Sequence, residues 1–340
     1  MSLTLNAQES SSVFNFLNLP TSSRALALGG KNISAIDDDA SLIFQNPALM
    51  SSVSDKTLSF NFLTYMKGGK AGNISYAQAH RERGTWGVMA QFLGYGNAYE
   101  TDEWGNVLGE MNMLDMNIAA GYSYLLGERW VGGVSGKFLY STYAGYSSIA
   151  LAVDLGINYL DSERDFSVSL VAANLGGQVS AFGETAESLP MDLQVGISKG
   201  LGSFPARLHL TLFDMFHWNK KQYFSADGNV SGFQVFLNHI NIGADLSLMK
   251  DRVWIGLGYN FRRAMEMKAG GSSHAAGLTV GAGINIKKIK VGVAYGNYHA
   301  GAPTISATVA YSFAREKKVS SNTSVGTSGV QENPINNIIE

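Results

Sequence analysis

Apolar and polar residues alternate with a period of two along most of the chain from Thr57 to Phe313. One late segment has apolar side chains at every second position and mainly small or polar ones between them: Val253, Ile255, Leu257, Tyr259 and Phe261 against Arg252, Trp254, Gly256, Gly258 and Asn260. Successive side chains of a β-strand point to opposite faces, so the pattern predicts strands. We count about fourteen, at about 18 residues for a strand with its connection, which suits membrane-spanning barrel strands of about 9–11 residues.

The polar face of these strands distinguishes a membrane barrel from a soluble β-sandwich. A sandwich turns its polar face to water and places many Lys and Glu residues there. Here that face is mostly Gly, Ser, Thr, Asn and Ala, with isolated charges of both signs that can pair across a lumen: Asp115, Lys137, Asp154, Asp192, Lys199, Asp245 and Lys290. We therefore predict an all-β fold, a transmembrane β-barrel of about fourteen antiparallel strands whose apolar face contacts lipid.

The connections between the predicted strands alternate in length. Gly127–Glu128 and Lys287–Lys288 are short, whereas Gly96–Gly109 and Phe216–Gly232 are long. Outer-membrane barrels have short periplasmic turns and longer extracellular loops. The alternation therefore predicts a bacterial outer-membrane location with the long loops extracellular. An even number of strands places both termini in the periplasm.

We divide the chain into four segments. Residues 1–8 (MSLTLNAQ) are either the remnant of a secretory signal or a disordered leader. Residues 9–56 form a small, partly helical plug segment, because Ser22–Leu28 has the pattern of a short capped helix that stops at Gly29–Gly30. Residues 57–313 form the barrel. Residues 314–340, rich in Ser, Asn, Thr and Gly, have the composition of a disordered tail.

Composition excludes several classes of protein. The longest strictly apolar stretches, such as Ile149–Val153, are far shorter than the roughly 20 residues of a transmembrane helix. Charged residues make up only 15% of the chain, against roughly a quarter in an average soluble domain. The absence of Cys excludes disulfides, thiolate nucleophiles and iron–sulfur clusters. A net charge of −2 argues against strong electrostatic binding of nucleic acid or an anionic membrane surface.

No motif supports catalysis or a cofactor. Gly271–Ala275 (GSSHA) approaches the nucleophile motif G-x-S-x-G, but its last residue is Ala and it lies at a loop-to-strand junction. Gly133–Lys137 lacks the first glycine and the Ser or Thr of a phosphate loop. The six His residues are scattered without metal-ligand spacing. We predict a non-enzymatic protein without a metal or other cofactor.

Aromatic residues are concentrated near two of the long connections. They are candidate contacts for a surface partner: Tyr99, Trp104, Trp218, Tyr223 and Phe224. A partner-binding patch would need exposed apolar area beyond the barrel's own aromatic girdle. Rings near strand ends also form the girdle that outer-membrane barrels have at the lipid interface. Both interpretations stay open at this stage.

The run from Phe16 to Met50 (FLNLPTSSRALALGGKNISAIDDDASLIFQNPALM) contains four motifs, FLNLP, SxRAxALGG, DDDAS and NPAL. Their marked residues are the candidate plug motif: Arg24, Gly29, Gly30, Asp37, Asp38, Asp39, Asn46 and Pro47. The three consecutive Asp residues lack the glycine turn and distal Glu of a calcium loop. We interpret them as an acidic cap on a short plug helix.

These motifs resemble the opening of the PorV/PorQ family, outer-membrane barrels of the type IX secretion system in Bacteroidetes. FLNLPTS and the DEWGN loop at Asp102 favour the PorQ branch. The wider resemblance is to fatty-acid-transporter-like barrels of fourteen strands whose N-terminal segment plugs the lumen. The family resemblance implies a cell-surface attachment complex, with a PorZ-like surface protein as partner, PorU/PorV-like components nearby and lipopolysaccharide as the site of cargo attachment. The expected function is a tether, and the alternative is a channel for hydrophobic molecules such as fatty acids.

Overall fold

The computed structural model describes residues 13–313 except 66–67, 97, 103, 105, 112, 221–222, 224–229, 269–275 and 300–301. The expected leader (1–8), the expected tail (314–340), the GSSHA motif and Phe224 therefore lie outside the described residues or at their edge.

The barrel predicted from the sequence is confirmed. The strands are β1 (Thr57–Tyr65), β2 (Gly69–His80), β3 (Gly84–Gly94), β4 (Ala98–Thr101), β5 (Val107–Met111), β6 (Met113–Leu125), β7 (Trp130–Tyr143), β8 (Tyr146–Asp161), β9 (Phe166–Ser180), β10 (Asp192–Leu201), β11 (Phe204–Leu212), β12 (Ile240–Leu248), β13 (Val253–Asn260), β14 (Leu278–Ile286), β15 (Ile289–His299) and β16 (Ala302–Ser312). Fourteen form one closed antiparallel sheet in which β1 pairs with β16. β4 and β5 form a separate hairpin.

The two faces of the wall follow the alternation in the sequence. On β1, Phe60 and Phe62 are exposed on the outside, whereas Ser59 and Asn61 are buried in the lumen. The same pattern of outward apolar and inward small or polar residues recurs around the barrel, as at Ile255 and Leu257 against Gly256. Among the described residues, no helix has the length and hydropathy needed to cross a membrane.

The two rims of the barrel differ in their connections. At the rim we call the short-turn rim, the links β2–β3, β6–β7, β8–β9, β10–β11, β12–β13 and β14–β15 are two to four residues long. At the opposite rim, the long-connection rim, the links include the β4–β5 hairpin, α2 (Gly232–Asn238) and α3 (Phe261–Lys268). The predicted strand that ran to Phe261 ends one residue earlier, because Asn260 Oδ1 accepts a hydrogen bond from Arg263 N and caps α3.

The N-terminal segment lies inside the lumen. It comprises one short α-helix, α1 (Ser23–Ala27), and three 3₁₀ helices, Asn15–Asn18, Ala40–Phe44 and Pro47–Ser52. Its side chains are among the most completely buried in the described chain, including Leu26, Leu49 and Met50. The core of this protein is therefore the contact between the segment, which we call the plug, and the inner wall.

Candidate functional site

The first plug motif forms α1 and the turn that ends it. The Ser22 side chain accepts a hydrogen bond from Ala25 N at 3.2 Å and caps the helix. Gly29 and Gly30 follow with φ of 93° and 91°, and Gly30 N donates to Ala25 O at 2.8 Å. Side chains with a Cβ are strained at such φ angles, so the paired glycines of the motif are required by this turn.

The same glycines also bring the plug against the wall. A Cβ on Gly29 would lie 2.0 Å from Asn241 Oδ1, and one on Gly30 would lie 1.3 Å from Tyr298 Oη. Asn241 Nδ2 donates to the carbonyl oxygens of Leu28 and Lys31 at 2.9 and 2.7 Å. The wall thus binds the backbone of the turn directly.

Arg24 joins the plug to the wall by charge. Its Nη2 lies 2.7 Å from Asp245 Oδ2 on β12, and its Nη1 lies 3.6 Å from Asp37 Oδ1. Burial by itself would lower the pKa of Arg24, but the carboxylates of Asp37 and Asp245 offset this and raise it. The guanidinium also lies over the Trp254 ring, 5.4 Å from its centroid.

Asp245 continues into a buried hydrogen-bonded chain that the sequence analysis missed. Asp245 Oδ1 lies 2.5 Å from His209 Nε2, His209 Nδ1 lies 2.7 Å from Ser198 Oγ, and Ser198 Oγ lies 2.7 Å from Ser34 Oγ of the plug. These are the residue types of a nucleophile triad, but the two ring nitrogens have exchanged the roles they have in serine hydrolases. Ser198 is also buried under Ser34, so the chain fits a structural lock between plug and wall.

Asp38 and Asp39 fix the second half of the plug. Asp38 Oδ2 pairs with Lys290 Nζ of β15 at 2.7 Å and accepts from Ser54 Oγ at 2.7 Å. Asp39 Oδ1 accepts from Ser41 N at 2.9 Å and caps the 3₁₀ helix that follows. Burial, and then the neighbouring Asp37, raise the pKa of Asp39. Asp37 and Asp38 therefore each form an ion pair, and Asp39 caps a helix.

Asn46 and Pro47 begin the last 3₁₀ helix of the plug. Asn46 Oδ1 accepts from Ala48 N and its Nδ2 donates to Ile33 O, both at 2.9 Å. The chain here lies directly on two inward glycines of the wall: a Cβ on Gly133 would be 2.4 Å from Pro47 C, and one on Gly156 would be 2.2 Å from Asn46 Oδ1. The small residues on the inner face thus make room for the plug.

The isolated charges of the inner face pair mostly with the plug, not with one another. Asp192 lies 3.5 Å from Lys31 Nζ, and Lys290 and Asp245 bind plug residues as described above. Lys137 and Asp154 are the exception, since they pair across adjacent strands at 2.6 Å. The predicted inner-face position of Lys199 is wrong: Lys199 lies on the outer face of β10 with Ile197 and Leu201, because it is Ser198 and Gly200 that face the lumen there.

The lumen contains an apolar cluster that extends from the long-connection rim to Trp254, one residue from the short-turn end of β13. Its wall members Leu63, Ala71 and Leu93 lie within two residues of the long-connection end of β1, β2 and β3. Other buried members come from the plug, from β7 and β8 and from the β9–β10 connection: Phe14, Phe16, Leu19, Leu139, Ala150, Ala152 and Leu189. The polar contacts of Arg24 with Asp245 and of Asp38 with Lys290 lie in the half of the barrel next to the short-turn rim, where Trp254 is the neighbouring member of the cluster.

The wall is interrupted beside this cluster. β9 pairs with β10 only up to Ala173, opposite Asp192, and from there on it pairs with β8 alone. Asn174 has a φ of 58° in a β-bulge. Asp154 Oδ1 accepts from Asn174 N at 2.7 Å, and Lys137 Nζ donates to Asn174 Oδ1 at 2.8 Å. The interruption is therefore fixed by buried polar contacts.

The predicted partner-contact residues have different environments. Trp104 is 83% exposed at the tip of the β4–β5 hairpin, and Tyr99 lies in β4. Trp218 is partly exposed and its ring stacks on His239, with 4.0 Å between centroids. Tyr223 is buried and its hydroxyl bonds His217 O, so it does not form part of an exposed surface. Phe224 lies outside the described residues.

Within the part of the chain that the structure describes, no group of three or more His, Cys, Asp and Glu side chains is arranged to hold a metal ion.

Comparison with known proteins identifies the fold. No protein-family model and no curated protein sequence matches the chain. Among solved structures, it is similar to the CymD monoaromatic hydrocarbon channel, with 12% identity, 87% of this chain and 98% of that chain covered, and a TM-score of 0.59. A Pseudomonas aeruginosa FadL homologue (10%, 86% and 98%, 0.54) and the Pseudomonas putida toluene transporter TodX (11%, 86% and 98%, 0.53) are similar as well. The chain thus has the fold of these channels.

Proposed function

We propose that this protein is a non-enzymatic outer-membrane barrel that admits hydrophobic small molecules. The observation that carries the proposal is the apolar cluster of the lumen beside a fixed interruption of the wall. Three proteins of similar fold are a hydrocarbon channel, a FadL homologue and a toluene transporter, which supports the same function. Because one fold supports many functions, it is the apolar cluster that carries the function proposed here.

The proposed route and binding surface lie at this interruption. After Ala173, β9 has no hydrogen-bonded ladder to β10. The β9–β10 connection turns inward, so that Leu189 is buried in the cluster. An apolar solute reaching this interruption from lipid would meet Ala150 and Ala152 of β8 and the plug residues Phe14 and Phe16. Passage beyond them requires the plug to move, because its polar contacts close the deeper lumen.

Uptake of labelled toluene by a Gram-negative host that lacks its own hydrophobic channels tests this proposal. Ala152→Phe fills the cluster from the wall and should abolish the uptake that the wild-type chain confers. Ala282→Phe makes the same change on the outer face of β14 and should leave uptake unchanged. Equal uptake by the wild type and by Ala152→Phe, with both barrels folded in the membrane, would contradict the proposal.

A second function, tethering of a surface protein in a type IX attachment complex, is favoured by the plug motif and by one surface feature. Every marked residue of the PorV/PorQ-like motif has a structural role in the plug, and the β4–β5 hairpin exposes Trp104, Val107 and Leu108. Exposed aromatic and apolar side chains of this kind anchor protein interfaces. The partner would be a PorZ-like surface protein, with the long-connection rim extracellular and both chain termini in the periplasm.

Co-purification in mild detergent from a host with that secretion system tests the tether. Recovery of a PorZ-like protein that is lost when residues 98–111 are deleted supports it. Recovery that is unaffected by the deletion would exclude the hairpin as the docking element.

A further inference from the structure

The charges of the short-turn rim are segregated into two arcs. The first, which we call the basic arc, comprises the turns from the end of β12 through β16 to β3, and its basic residues are Lys56, Arg81, Arg83, Lys250, Arg252, Lys287 and Lys288. Against these seven stand three acidic residues, Asp55, Glu82 and Asp251. A net charge of −2 for the whole chain conceals this local excess.

The turns of the basic arc are joined to one another in space. Asn285 N donates to Arg252 O at 2.7 Å, Ser312 N donates to Lys288 O at 2.9 Å, and Phe313 N donates to Lys56 O at 3.0 Å. Each bond links one turn to the next along the rim. Because adjacent strands lie about 4.8 Å apart, the basic side chains form a continuous band around about half of the barrel.

The basic side chains of this arc form no ion pair among the described residues. None of the seven, among the described residues, lies within 4 Å of a carboxylate oxygen, whereas three of the four basic residues on the rim between β6 and β11 do. There Arg129 pairs with Asp161 at 2.9 Å and Arg207 pairs with Asp165 at 2.6 Å. That second arc has four basic and four acidic residues: Arg129, Arg164, Lys199 and Arg207 with Glu128, Asp161, Glu163 and Asp165.

Four basic residues of the arc lie at strained backbone positions. Lys56, Arg81, Lys250 and Lys287 all have φ between 54° and 58°. Gly or Asn adopts this left-handed conformation with less strain, so a long basic side chain is not the residue that these turns favour.

Large apolar side chains border the basic arc on the outside of the barrel. Met249 is 75% exposed, and Ile286 and Phe313 are more than half exposed. Apolar groups next to Lys and Arg are typical of a surface that enters the lipid interface, with the stems in the apolar region and the charges at the headgroups.

We infer that the basic arc is a binding site for anionic phospholipid headgroups in the leaflet next to the short-turn rim. The Lys and Arg side chains bind phosphate oxygens while Met249, Ile286 and Phe313 contact the acyl chains. Short turns of outer-membrane barrels face the periplasm, where the leaflet is phospholipid. The bound lipids would fix the depth and tilt of the barrel on this side.

Native mass spectrometry of the full chain with phosphatidylglycerol or phosphatidylcholine tests this site. The arc variant carries Lys250→Asn, Arg252→Gln, Lys287→Asn and Lys288→Gln, and Asn suits the left-handed positions. We expect it to retain about tenfold less phosphatidylglycerol than the wild type, since each basic residue near an anionic surface adds to binding. Phosphatidylcholine binding should be unchanged.

The matched control removes the four basic residues of the second arc: Arg129→Gln, Arg164→Gln, Lys199→Gln and Arg207→Gln. It should retain phosphatidylglycerol within about twofold of the wild type. An equal loss in both variants would show that only net charge matters and would overturn the inference. Unchanged binding in the arc variant, with the barrel still folded by its heat-dependent mobility in gels, would overturn it as well.

Discussion

Arg24 of the plug and Asp245 of β12 form an ion pair of 2.7 Å between Nη2 and Oδ2, deep inside the barrel. Asp245 is almost completely buried, so its charge is stabilised by the Arg24 guanidinium and the His209 ring and not by water. Removing one partner of a buried pair typically costs about 3–5 kcal/mol, because the remaining charge is left without compensation.

We therefore expect Asp245→Asn to loosen the plug. Hydrogen exchange of the amides of residues 23–30 should accelerate strongly, while exchange in β1 and β16 should change little. Asp37→Asn is the control, because Asp37 lies farther from Arg24, at 3.6 Å, and is more exposed. Equal protection of the plug in the wild type and in Asp245→Asn would show that the pair does not hold it.

Substitution of Gly30 should be far more damaging than its backbone angle alone implies. Gly30→Ala places a Cβ 1.3 Å from Tyr298 Oη, whereas Gly68, with a nearly identical φ of 93°, has nothing within 4 Å. Left-handed backbone costs an Ala residue about 1 kcal/mol, so Gly68→Ala should lower unfolding free energy by about that amount. Urea unfolding in detergent should give at least twice that loss for Gly30→Ala. Similar losses would contradict the contact.

The pH dependence of the plug should contain a contribution from Asp39. Burial and then Asp37 raise the pKa of this carboxyl above its ordinary value, so between the two pKa values the closed plug binds more protons than the open one. Its contribution to plug stability is therefore present at low pH and falls as pH rises through that window. Asp39→Asn keeps the helix cap but does not titrate.

Hydrogen exchange of residues 40–52, corrected for intrinsic rates, measures this contribution. The difference in plug protection between pH 4 and pH 7 should be smaller in Asp39→Asn than in the wild type. An unchanged difference would assign the pH dependence to other groups.

The tether function predicts that the β4–β5 hairpin, at the long-connection rim, contacts the partner protein. Trp104→Ala on the β4–β5 hairpin should reduce recovery of a PorZ-like partner by about tenfold or more, since aromatic anchors typically contribute 2 kcal/mol or more to an interface. Trp130→Ala is matched in chemistry but lies at the short-turn rim, packed on Tyr159, and should have no effect. Equal recovery with both variants would leave the tether without its proposed contact.

Much of this fold could be predicted because alternate residues of each strand face lipid, which favours apolar side chains, or the lumen, which favours small or polar ones. The period-two pattern predicted the barrel and its number of strands, and the glycines of SRALALGG predicted the end of α1. The paired inner face was predicted only in part: Lys137 and Asp154 pair with each other, but Asp245 and Asp192 pair with Arg24 and Lys31. Partners that are distant in sequence are fixed by how the plug lies in the lumen, which periodicity does not report.

The small elements of the long-connection rim were missed for a different reason. Ser231 caps α2 and Gln234 follows three residues later, which is a capping-box pattern, but a seven-residue helix is too short to be distinguished from a loop in the sequence. The chain from Asp245 through His209 and Ser198 to Ser34 joins residues on three strands and the plug. The interruption beside Asn174 depends on strand register, which alternation alone does not fix.

Photo-crosslinking with an alkyl diazirine probe, followed by mass-spectrometric mapping, tests most directly whether the lumen cluster binds hydrophobic molecules. We expect probe adducts on Leu63, Leu93 and Leu139, which are buried in the lumen, and we expect excess toluene to suppress them. Adducts at the outward residues Phe60, Val88 and Leu151 report lipid exposure and should not be suppressed. Adducts confined to those outward residues, in a folded barrel with its plug, would contradict the binding of hydrophobic molecules in the lumen.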